Sequence, residues 1–195
     1  MMIEIEHFSL KSCIWFIVLS GLILFVSGCG SCVDKAANEV FYKNHDSFTL
    51  TVYPVNIIKG SMTIQDKYLS NLIAAYLEEE FLANPVVGDR KHIYSPMFWQ
   101  SDASKARNSA KGFASQVRTD AISTRYALLV ELHSNSTEKM IFRANYTLVT
   151  ADGKIVETEQ LDQSTRLYKE LNPLNRKDGA KLVMKALKEK WKFRA

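Results

Sequence analysis

Tyr126-Ala127-Leu128-Leu129-Val130-Glu131-Leu132, followed by Met140 to Thr150 (MIFRANYTLVT) and Lys154 to Leu161 (KIVETEQL), decides the fold. Apolar residues recur here at the two-residue period of strands, not at the 3.6-residue period of helices. Asp152-Gly153 between the last two stretches is a hairpin signal, because both residue types tolerate the positive φ that a two-residue turn demands. Asn135-Ser136 marks the earlier connection. A meander of three strands is expected.

Working outward, Ala103 to Ile122 places Ala106, Ala110, Phe113, Val117 and Ala121 on one narrow face, which predicts a helix that packs closely. Gly112 weakens it. Ile64 to Leu82 carries Tyr68, Leu69, Leu72, Ile73, Tyr76, Leu77 and Phe81 on one face, with Ser61 and Thr63 as capping candidates and Asn84-Pro85 as the stop. Ser47 to Ile57 alternates Phe48, Leu50 and Val52 against Thr49, Thr51 and Tyr53, a half-buried strand with Pro54 near its end. His92-Ile93-Tyr94 is a candidate short strand and Ser95-Pro96 a turn. After Asn172-Pro173, Lys181 to Phe193 has Leu182, Val183, Ala186, Leu187 and Trp191 as the stripe of a last helix. The expected order is β-α-(β)-α-β-β-β-α, an α+β or α/β fold. It has a mixed sheet of about four to five strands and helices mainly on one face.

Tyr126 to Leu132, the hairpin Tyr146-Thr-Leu-Val-Thr-Ala-Asp-Gly-Lys-Ile-Val156 and the small-residue helix before them resemble a known domain. It is shared by the amino-terminal part of the Tol translocation protein, the curli-secretion lipoprotein and lipoproteins that activate penicillin-binding proteins. The resemblance is topological, spans most of residues 47–193 and carries no functional residue over.

At 195 residues and 47% hydrophobic, the chain is long enough for one domain plus a targeting segment. Cys13 to Gly28 (CIWFIVLSGLILFVSG) contains no charged residue. Sixteen helical residues span about 24 Å, short of a hydrocarbon core of about 30 Å, so a signal-peptide apolar region fits better than a membrane span. Val26-Ser27-Gly28-Cys29 resembles the lipobox of bacterial lipoproteins, which implies cleavage before Cys29 and lipid on its thiol and new amine. Glu4 and Glu6 depart from the positive start of such signals, and translation from Leu10 would leave Lys11 in the leading position. Gly30, standing where an aspartate favours inner-membrane retention, points to the periplasmic face of the outer membrane. The expected organisation is a signal peptide over residues 1–28, a lipidated cysteine and tether over 29–46, and one periplasmic domain over 47–195. Val33, Ala36, Ala37, Val40 and Phe41 allow the tether to form a short docking helix.

Chemistry is sparse. Cys32 is the one thiol left in such a mature chain, so no disulfide forms within it, and Cys29-Gly-Ser-Cys32 is weighed as a redox motif against its place after a secretion signal. His45, His92 and His133 stand apart, without metal-ligand spacing. Glu78-Glu79-Glu80 fan out round a helix and do not converge on one ion. No catalytic, cofactor or metal site is expected, although a small hydrolase with scattered residues stays open. The segment from Arg176 to Arg194 carries a net charge of +6, with Lys181, Lys185, Lys188 and Lys192 among its bases. They form either a solvated face or a contact for an anionic surface. Met97, Phe98 and Trp99 are a second candidate for a partner surface, against packing under a loop. The expected partners are the membrane, through the lipid, and an envelope protein or a second copy, with no nucleic acid.

Overall fold

The computed structural model describes residues 32–44, 46–92, 101–135, 137 and 140–192. Its central strand is β5 (Tyr126–Ser134), every residue of which is buried. β5 pairs antiparallel with β6 (Ile141–Thr150), and β6 pairs antiparallel with β7 (Ile155–Asp162). Gly153 turns the second hairpin at φ +79°, and a Cβ there would meet the Ala114 carbonyl oxygen at 2.5 Å. Conformation and close approach both select glycine.

The other edge of β5 meets one line of chain that breaks midway. β1 (Phe48–Val52) runs parallel to Tyr126–Leu128, and β2 (Val55–Lys59) parallel to Glu131–Ser134. From Val52 to Asn56 this line advances four residues while β5 advances three, from Leu128 to Glu131. The extra residue is a bulge at Tyr53-Pro54, where proline brings no N–H to the ladder. The strand expected over Ser47–Ile57 is thus two strands in one rank.

β3 (Met62–Asp66) folds back antiparallel on β2 through Gly60 at φ +58°, and β4 (Ala83–Val87) lies parallel to β1. β3 and β4 form the outer rank of a mixed sheet of seven strands, more than the four or five expected. Two of the additions have a sequence-level cause. β3 took the start of the expected helix, and β4 contains Pro85, which reads as a stop but is tolerated in an outermost strand. Of the candidate strand at residues 92–94 only His92 is described, and it is not in a strand; the rest lies outside the described residues, as does Ser95-Pro96.

Among the described residues five helices flank the sheet. α1 (Lys35–Lys43), α2 (Lys67–Glu80), α4 (Arg166–Leu171) and α5 (Arg176–Trp191) contribute to the larger core on one face. α3 (Asp102–Asp120) packs on the other through Ala110, Phe113, Ala114 and Val117. α2 starts later than expected because Met62–Asp66 is committed to the β3 ladder. Asp66, not Ser61 or Thr63, caps it by accepting from Leu69 N at 3.1 Å. α3 stops before Ile122 because Ala121 adopts φ 49°. α5 starts at Arg176, where Asn175 Oδ1 accepts from Asp178 N at 3.1 Å. α4 was not expected: its six residues lie in what reads as a polar connection.

The folded unit takes in the segment before Ser47. Asp34 N donates to Ile155 O at 2.8 Å, and Asn38 Nδ2 to Val156 O at 2.9 Å, so the chain crosses the β7 edge from one face of the sheet to the other. Cys32 and Val33 lie on the α3 side, whereas Ala37 and Phe41 are buried on the opposite side. The Phe41 ring stands edge-on to Tyr126 and Trp191, both at 5.2 Å, and to Phe48 at 5.6 Å. This aromatic cluster joins the start of the folded unit to its last helix. Phe41→Ala is expected to cost about 3–5 kcal/mol of unfolding free energy in urea titration, as for a large aromatic removed from a core. A cost below about 1 kcal/mol would mark α1 as peripheral.

Candidate functional site

The residues flagged by the sequence are not gathered in one place. Cys29 and the group Met97, Phe98 and Trp99 lie outside the described residues, as do His45 and the apolar run from Cys13 to Gly28. No helix among the described residues is long and apolar enough to cross a membrane. The cations of α5 are engaged within the chain: Lys181 with Asp178 at 3.6 Å, Lys185 with Glu170 at 2.9 Å and Lys188 with Glu80 at 2.5 Å. Lys192 caps the helix. Pairing leaves this face far less positive than its sequence suggests.

On the same side of the sheet Glu157 forms a buried node. Tyr42 Oη donates to its carboxylate at 2.5 Å, Trp191 Nε1 at 3.2 Å and Lys190 Nζ at 3.2 Å, and Tyr146 Oη also donates to it. Tyr146 reaches Glu159 as well, at 2.7 Å. The donors come from α1, β6 and α5 and converge on β7. Burial and the adjacent Glu157 carboxylate push the Tyr42 and Tyr146 hydroxyls far above the usual phenol range, so both remain donors. With its acceptor sites taken by structural partners, Glu157 is a joint rather than a reacting group.

Under the N-terminal half of α3 lies a polar layer that sequence reasoning missed. Asn56 on β2, Glu131 and His133 on β5, and Arg143 and Asn145 on β6 are all buried. Ser109 Oγ donates to Glu131 Oε1 at 2.8 Å, and Arg143 pairs with Asp102 at 2.8 Å, tying sheet to helix. The Arg143 guanidinium holds the Asp102 carboxyl below its usual range. Arg143 Nη2 lies 3.0 Å from His133 Nδ1 and can only donate, so Nδ1 accepts and Nε2 carries the ring proton. Asn145 Nδ2 lies 3.2 Å from Nε2, donor against donor, and turning the amide over would bring Oδ1, which has no other partner among the described residues, to that N–H. Asn56 Nδ2 donates to His92 O at 2.8 Å, and His92 Nδ1 contacts Gln116 Oε1 at 2.7 Å. Asn56 Oδ1, His92 Nε2 and Arg143 Nε are buried without a hydrogen-bond partner among the described residues. The available signal was in β5 itself, where Ala127 and Leu129 give way on the same face to Glu131 and His133.

The electrostatics of this layer are those of buried groups. Burial pushes the Glu131 carboxyl above its usual 4.5, and burial together with Arg143 pushes His133 down to about 3. Both favour the neutral form. No group of three or more His, Cys, Asp or Glu among the described residues could hold a metal ion.

A third feature lies on the surface beside Cys32. Cys32, Lys111, Ser115, Arg118 and Lys154 line a shallow groove between α3 and the β6–β7 turn. Arg107, Lys111 and Arg118 are exposed along α3 and make no ion pair among the described residues.

No family model matches the chain, and no curated protein matches it. Among solved structures, a PelC dodecamer from Paraburkholderia phytofirmans is similar at 10% identity and a TM-score of 0.37, over 72% of this chain and 86% of that one. A likeness at that level assigns neither activity nor assembly to this chain.

Glu157→Gln is expected to destabilise the fold by about 1–3 kcal/mol in denaturant, since it weakens a partner shared by several buried donors. An unchanged midpoint would mean that the node contributes nothing. For Glu131 the folded pKa lies above the unfolded value of 4.5, so its contribution is complete below that pH and is lost as pH rises through the folded pKa. For His133 the folded pKa of about 3 lies below 6.5, so its contribution is present above pH 6.5 and is lost as pH falls toward 3. Glu131→Gln should therefore gain on the wild type progressively as pH rises from 4.5. A stability difference that is flat with pH, measured by thermal melts, would contradict this.

Proposed function

We propose that the chain is a lipid-anchored protein of the bacterial cell envelope, attached through Cys29 on the periplasmic face of the outer membrane. Its domain is a noncatalytic accessory or regulatory module that binds another envelope component. The observation that carries this reading is the sequence Val26-Ser27-Gly28-Cys29, which ends three residues before Cys32 enters the fold. Lipid on Cys29 would bury two or three acyl chains, each CH₂ worth about 0.8 kcal/mol, and so confine the module to the membrane where its partner is concentrated. Glu157 is engaged by Trp191, Glu131 by Ser109 and His133 by Arg143, so each of these buried groups has a partner within the fold.

Self-assembly is a second reading, favoured by the outer rank of the sheet. Met62 and Ile64 of β3 and Val86 of β4 are exposed along it, and unpaired edges offer a template for another strand. Sedimentation of the purified full chain separates the two, since assembly predicts a defined oligomer and an accessory module a monomer.

Crosslinking in cells followed by mass spectrometry tests the main proposal. The wild-type chain should fractionate with membranes and capture one dominant envelope protein, and Cys29→Ser should lose both. Retention of Cys29→Ser in the membrane fraction would contradict lipid anchoring at that residue.

A further inference from the structure

Charge is distributed unevenly across the two faces of the sheet. On the side of α2 and α5, Lys185 and Lys188 are paired, while Lys169 of α4 and Glu78 and Glu79 of α2 are exposed with no ion-pair partner among the described residues. On the α3 side the balance is reversed. Among the described residues Asp102 pairs with Arg143 and Lys105, Asp120 with Arg90 and Asp152 with Lys154, while Asp34, which lines the groove, caps α1 by accepting from Ala37 N. Arg107, Lys111 and Arg118 make no ion pair among the described residues. They lie four and seven residues apart, spacings that bring side chains to one stripe of a helix. The stripe runs along a helix of 19 residues, about 28 Å in length.

The chain itself says which way this stripe looks. Cys32 packs partly buried on the α3 side and lines the groove with Lys111 and Arg118. Three residue steps separate it from Cys29, a reach of at most about 11 Å. A lipid on Cys29 must therefore enter the bilayer close to α3. The side of α5 is reached only around the β7 edge, which Asp34 and Asn38 already occupy.

We propose that the exposed stripe Arg107, Lys111 and Arg118 of α3 is a membrane-contact surface that binds the anionic headgroups of phospholipid around the anchor. The inference rests on the reading of Cys29 as lipidated. The anchor supplies attachment and the stripe sets orientation: α3 lies along the bilayer surface, and α2, α5 and the Glu157 side point away from it. Headgroup attraction falls off within a Debye length, about 10 Å at moderate salt, which the short link to Cys29 satisfies. Orientation then decides which surface a partner meets, namely the side of α2 and α5 rather than α3.

Lysine acetylation footprinting tests this on the full-length chain purified from membranes and placed in vesicles of phosphatidylcholine, with or without phosphatidylglycerol. Phosphatidylglycerol should slow labelling of Lys111 by about fivefold, with reversal in high salt, while Lys181 and Lys185 label equally in both vesicles. In Arg107→Glu/Arg118→Glu the slowing of Lys111 should disappear. The mass of the Cys29 peptide is read on the same sample. Lipid on Cys29 with equal Lys111 labelling in both vesicles overturns the contact surface alone and assigns the stripe to an acidic protein instead. A Cys29 peptide without lipid overturns the anchor and the orientation together.

Discussion

The Glu157 carboxylate is the joint on which the arrangement of the first helix, the last helix and the edge strand depends. Tyr42 of α1, Tyr146 of β6, and Lys190 and Trp191 of α5 all donate to it. A buried carboxylate is costly unless it is hydrogen-bonded, and this one can be satisfied only when all of these elements are in place. The aromatic rings around Phe41 add packing to the same junction, with Phe81 joining through Trp191 at 5.5 Å. The edge of β7 is thereby covered by α1, whereas the opposite edge, formed by β3 and β4, carries exposed apolar side chains. One edge is blunted by the chain's own N-terminal segment, and the other keeps exposed strand edges among the described residues.

The meander over β5, β6 and β7 was legible because burial on the sheet imposes a two-residue period that the sequence displays, and because Asp152-Gly153 has a turn chemistry of its own. The faces of α2, α3 and α5 were legible for the equivalent helical reason. What was hidden has physical causes. The extra residue at Tyr53-Pro54 shifts the phase of the alternation, so that Phe48, Leu50 and Val52 are followed in the same core by Val55 and Ile57; the shift is present in the sequence, but only the pairing to β5 shows that it separates two aligned strands. Met62–Asp66 has few large apolar residues because both its faces are largely solvated, and its pairing to β2 is a tertiary fact. The polar layer of Glu131, His133, Arg143 and Asn145 was invisible as a unit, since residues on two strands meet only after register is fixed. The pairing of the α5 lysines was hidden for a related reason: Glu80 and Glu170 are distant in sequence, and only the fold brings them close.

These features give the proposed module two unlike sides. α3, Cys32 and the cations without an ion pair among the described residues lie on one, while α2, α4, α5 and the paired lysines Lys181, Lys185 and Lys188 lie on the other. What connects them is α1, whose approach across the β7 edge fixes where the chain leaves the fold. If that helix is an integral part of the unit, a lipid at Cys29 constrains orientation as well as position. If it is a loose tether, the lipid constrains position alone.

Native-state hydrogen exchange of the α1 amides, compared with those of β5 and α5, addresses this most directly. The account predicts that the amides of Val40 to Lys43 exchange only through global unfolding, with protection close to that of β5. Exchange several orders of magnitude faster than β5, insensitive to denaturant, would show that residues 32–46 are a tether and would remove the basis for a fixed orientation.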